Sequence, residues 1–174
     1  MKQKLFSAAA LFGLIGLAAC QNSQQPEIQK QSIDLYSLVQ DTKSGFDSTF
    51  AQKTGADEYG MKPYVMAFLK KGPNRSQDSA TAAGLQKAHL DNIIGMAEAG
   101  ELVLAGPFMD DGDIRGIYIF NVSTVEEARK LTETDPAIQA GRLVMELHPW
   151  YGSAVLPMIT PLHKRLEKKS VAGD

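Results

Sequence analysis

Cysteine is almost missing from this chain. Cys20 is its single thiol among 174 residues, so no intramolecular disulfide can staple a fold. A basic excess is missing too. The 18 Lys and Arg residues are outnumbered by 20 Asp and Glu, and Lys62, Lys70 and Lys71 are thinly spread, which removes the electrostatic footprint of a nucleic-acid binder. No glycine-rich loop follows a strand and opens a helix, so phosphate-loop nucleotide chemistry is not encoded. Ser44 and Ser153 each adjoin a glycine but lack the strand–turn–helix setting of a nucleophile elbow. Histidine is scarce: His89, His148 and His163 make up the whole supply. None forms a close pair with a second metal-type ligand, so a metal site is unsupported and no cofactor is expected. The acidic tract Asp110–Asp113 lacks the ligand spacing and closing Glu of a calcium loop and reads as a solvated hairpin turn.

A long hydrophobic run is also absent. Leu5–Leu17 is apolar and uncharged, yet shorter than the roughly 20 residues a membrane-spanning helix needs. It follows Lys2 and Lys4 and precedes Leu17-Ala18-Ala19-Cys20, the layout of a signal peptide. Small residues before a cysteine at this point resemble the lipobox of bacterial lipoproteins. That resemblance implies a leader over residues 1–19, cleavage before Cys20, and lipid on the Cys20 sulfur that anchors the chain to a membrane. Gln at position 21 implies sorting to the outer membrane, facing the periplasm. Without Lys2 and Lys4, the 18 basic residues become 16 against 20 acidic ones, a side-chain charge near −4.

What remains has the composition of an ordinary globular domain, 44% apolar and 22% charged. Gln21–Ser32 is rich in Gln and Ser and reads as a flexible tether. Ile33–Lys53 has apolar residues at loosely helical spacing and reads either as a short helix lying on the domain or as more tether. Residues 20–58 are therefore assigned to the lipidated cysteine and tether, 59–160 to the domain, and 161–174 to an exposed, charged tail.

The domain reads as six elements. Pro63–Lys70 is an apolar run of strand length, ended by Lys71-Gly72-Pro73-Asn74. A helix is predicted over about Ser79–Ala99, with Ala82, Leu85, His89, Ile93 and Met96 within roughly 80° of arc, so His89 falls on the buried face. Leu102–Ala105 and Gly116–Val122 are predicted strands around the 110–113 turn. A second helix starts at Ser123 or Thr124, where Glu126 and Glu127 stand at capping-box spacing. Pro136 ends it near Asp135, with one further turn over Ala137–Gly141 and a fourth strand over Arg142–Leu147. The order β-α-β-β-α-β is the ferredoxin-like α+β arrangement. Strands one and three are apolar on both faces, whereas a wet sheet face alternates with polar residues. A homodimer with sheets face to face is the simplest cover; the segment 33–50 is the other.

For chemistry, His89 in the first helix and Asp135 at the end of the second can approach one another, since both helices pack side by side on the sheet. A carboxylate on one imidazole nitrogen raises the basicity of the other, as a general base needs. The same residues suit a satisfied core histidine and a helix-terminating cap.

The chain resembles the YCII-related (YciI-like) domain family. The resemblance rests on the Pro63–Leu69 strand, Ala88-His89-Leu90, Gly100-Glu101-Leu102, Ala105-Gly106-Pro107, Ser123–Ala128, Asp135-Pro136 with Ala140-Gly141, and His148-Pro149-Trp150. It implies a dimeric ferredoxin-like α+β barrel and an active-site His–Asp pair at His89 and Asp135, acting on an unknown small molecule. A few relatives act in aromatic degradation, including dehydrochlorination of chlorinated hydroquinones. Relatives often carry Arg three residues before the histidine; here that position is Gln86, which puts any anion-binding role of the arginine in question.

Overall fold

The computed structural model describes residues 45–172; the leader, Cys20 and most of the tether lie outside the described residues. The described chain runs α1 (Ser48–Thr54), β1 (Met61–Lys71), α2 (Ser79–Glu98), β2 (Leu102–Pro107), β3 (Ile114–Phe120), α3 (Val125–Thr132), α4 (Pro136–Gln139), β4 (Leu143–Ser153), a 3-10 turn (Leu156–Met158) and α5 (Ile159–His163). The four strands form one sheet in the order β2-β3-β1-β4, with every neighbour antiparallel. That is the ferredoxin-like α+β sandwich, of the kind found in α+β barrels.

Local chemistry starts and stops the helices. Asp78 caps α2, its carboxylate accepting from the Thr81 backbone N–H at 2.9 Å, and Gly100 leaves the helix at φ 72°. Thr124 and Glu127 form the expected capping box at the start of α3. In the segment 33–53, the described part carries α1, begun by an Asp47 cap.

The sheet has two unlike faces. On the helix side, Val65, Ala67, Leu69, Leu102, Tyr118, Phe120 and Leu143 are buried beneath Met96, Ala128 and Ala137. On the outer side, Tyr64, Val103 and Ile119 are buried with Leu156 and Trp150 packed against them. Chain beyond β4 covers that end: Ala154 and Met158 are both 2% exposed, and the 3-10 turn and α5 lie against β2. Further along this face Met66, Phe68 and Ile117 are half-buried and Val144 is exposed. β4 adds polar groups there that the apolar strands did not announce. Glu146 accepts from Lys70 and lies 2.8 Å from His148 Nε2, and Lys70, then His148, hold its carboxyl below the usual range.

Strand ends shift by about two residues from expectation at β1, β2 and β3, and two further differences are larger. β4 runs on through His148-Pro149-Trp150-Tyr151 to Ser153. It is an edge strand, where a proline's missing N–H faces outward and breaks no ladder bond. α3 ends at Thr132, so Asp135 does not terminate it; Asp135 begins α4 instead.

Candidate active site

His89 sits in the middle of α2 and is 5% exposed, on the buried face as its spacing requires. Asp135 is 1% exposed and occupies the N-cap of α4. The proline that follows disfavours helical geometry at Asp135, which stands extended at φ −80°, ψ 117°. In that conformation its carboxylate works in two directions. Oδ1 accepts from the Ala137 backbone N–H at 2.8 Å, and Oδ2 lies 2.6 Å from His89 Nδ1. The cap thus fixes the carboxylate that meets the imidazole. The two residues named from sequence are brought together across 46 positions of chain.

Donor and acceptor chemistry assigns the tautomer. A carboxylate only accepts, so in the neutral imidazole the proton is on His89 Nδ1 and the lone pair is on Nε2. Facing Nε2 at 3.4 Å is the hydroxyl of Tyr118, with the two ring centroids 6.3 Å apart. Tyr118 is 2% exposed. Burial first, and then the negative charge of Asp135, push its ionisation far above the ordinary tyrosine value, so the phenol keeps its proton and donates to Nε2. The 3.4 Å separation is long for such a bond, which leaves the Nε2 lone pair open to a competing donor.

Tyr118 was not singled out in the sequence. Period-two alternation puts it on one face with Phe120, but nothing local shows that this face lies beneath His89. Cys20 lies outside the described residues. Gln86, one turn before His89, is exposed. Among the described residues, no three His, Cys, Asp or Glu side chains converge as metal ligands.

The Asp–His–Tyr row lies inside a recognised stretch of sequence. Residues 64–151, half of the chain, match the YCII-related domain. The chain belongs to that family. One solved structure similar to this member is 5-chloro-2-hydroxyhydroquinone dehydrochlorinase from Burkholderia phenoliruptrix AC1100, in complex with 2,5-dihydroxybenzoquinone. It is 19% identical with a TM-score of 0.38, over 49% of this chain and 92% of that one. No curated protein matches this YCII-related chain.

Proposed function

We propose that this YCII-related protein is an enzyme in which the His89–Asp135 pair performs general acid/base chemistry on a small polar or aromatic molecule. The observation that carries the reading is the 2.6 Å contact between His89 Nδ1 and Asp135 Oδ2, both almost fully buried. Asp135 holds the ring with Nε2 as the reactive nitrogen and stabilises the imidazolium that forms when Nε2 takes a proton. Tyr118 hydrogen-bonds to Nε2 at 3.4 Å and yields its place to the substrate. Exclusion of water strengthens each of these interactions.

The test is a product screen of small polar and aromatic compounds with residues 21–174. Once a substrate is found, His89→Gln loses about 10²–10⁴-fold in turnover with the fold intact. Full activity in that variant would end the acid/base reading. A second reading, a module that captures a small molecule without turning it over, is favoured by the near-complete closure of His89. It predicts binding weakened by His89→Gln and no product with any ligand.

The setting we infer is the cell envelope. Residues 1–19 are the leader, lipid on Cys20 holds the chain to the outer membrane on its periplasmic side, and residues 20–58 tether a domain over 59–160, followed by the charged tail 161–174. Cys20→Ser is expected to release the protein from membranes and abolish incorporation of a labelled fatty acid; persistent labelling would contradict this.

A further inference from the structure

The His89–Asp135 contact is not the only polar link between α2 and the turn joining α3 to α4. Asn92 lies one helical turn beyond His89, on the same side of α2. Its Nδ2 donates to Thr134 Oγ1 at 2.8 Å, and Thr134 immediately precedes Asp135. Two rungs therefore cross the same gap side by side, His89 to Asp135 and Asn92 to Thr134.

The second rung has a fixed polarity. The Thr134 hydroxyl has one proton, and it is given to the Leu131 carbonyl at 2.7 Å. Towards Asn92 the oxygen can therefore only accept, which obliges the amide to present its nitrogen. The amide oxygen is left pointing the other way, and Asn92 Oδ1 is buried without a hydrogen-bond partner. A buried acceptor without a donor destabilises a fold, whereas an apolar side chain of the same shape carries no such cost. Stability alone gives no reason to keep an asparagine here.

Geometry does give a reason. The turn that carries Asp135 spans only residues 133–135, and it is also held by Gln139 Nε2 donating to the Glu133 carbonyl at 2.8 Å. A short hydrogen bond such as Nδ1–Oδ2 weakens steeply with small displacements. We propose that Asn92 and Thr134 are positioning residues that hold the Asp135 carboxylate in register with His89. The proposal rests on the His89–Asp135 pair but not on any particular substrate.

The experiment is nitrogen-15 and proton NMR of the His89 ring in the full chain, held in detergent micelles, for wild type, Asn92→Leu, Thr134→Val and Asp135→Asn. Wild type should show a downfield, slowly exchanging Nδ1 proton and a single tautomer, both abolished in Asp135→Asn. If wild type lacks that proton, the pair itself fails. If positioning holds, Asn92→Leu keeps or raises the melting temperature, because the orphaned oxygen is gone, yet loses the sharp Nδ1 resonance and mixes the tautomers. Thr134→Val loses it as well, which decides the matter should Asn92→Leu not fold. A wild-type His89 spectrum in the folded variants would overturn the proposal and leave Asn92 a packing residue.

Discussion

Tyr118 is a side chain whose chemistry is set by where the fold puts it. Its phenol is buried beneath α2 beside a carboxylate, and both effects oppose ionisation. Tyr64 is pushed the same way, up to about 12, by burial alone. A tyrosine whose folded value is raised stabilises the fold fully below its unfolded value near 10, and that contribution is lost as pH rises from there towards the folded value. Urea unfolding between about pH 8 and pH 11 should show wild type losing stability above pH 10 and Tyr118→Phe losing less. Parallel curves for the two proteins would show that the phenol does not ionise on unfolding. The contrast with His89 is instructive about what sequence reveals. Helical spacing alone put His89 on the buried face, and Pro136 marked Asp135 as a chain boundary. Tyr118 gave no such sign, because its partner, 29 residues away in sequence, is brought to it by packing between a strand and a helix.

Elements were legible where their signals are local. The capping box at Thr124, the glycine exit at Gly100 and the apolar run of β1 each act within a few residues. Misplaced ends trace to tertiary context. The fourth strand, expected to end at Leu147, runs on through Pro149 because β4 is an edge strand, and α3 stops short of Asp135 because that residue is engaged in capping α4. The β2–β3 pair holds a further constraint that composition hides. A Cβ on Gly116 would stand 2.5 Å from the Gly106 carbonyl oxygen and 3.2 Å from the Pro107 Cα, and both are backbone atoms that cannot swing aside. Gly116→Ala must therefore push the two strands apart. A loss of about 1–3 kcal/mol is expected by denaturant titration, from overpacking. A variant as stable as wild type would show that β2 shifts freely. Since β3 also carries Tyr118, the His89 resonances should move with it.

At the scale of the whole molecule, the two apolar faces of β1 and β3 pose a problem that the described residues of one chain solve only in part. The helices cover one face. The 3-10 turn and α5 cover one end of the other, a role that the sequence reading gave to a second copy or to residues 33–50, most of which lie outside the described residues. Among the described residues, a strip of half-buried Met66, Phe68 and Ile117 with exposed Val144 is left uncovered, bordered by Lys70, Glu146 and His148. An apolar strip with a polar rim has the anatomy of a protein interface, and a second copy placed face to face would match each apolar strip with its own image. Such a dimer would bury on the order of 800 Å² per partner. Phe68 packs edge-on against His148 with ring centroids 5.6 Å apart, so a charge at Phe68 disturbs both strip and rim. Phe68→Glu should halve the mass measured by light scattering while leaving the circular dichroism spectrum unchanged. A wild-type chain that is already monomeric at micromolar concentration would refute face-to-face pairing. A dimer that survives the substitution would place the contact on another surface.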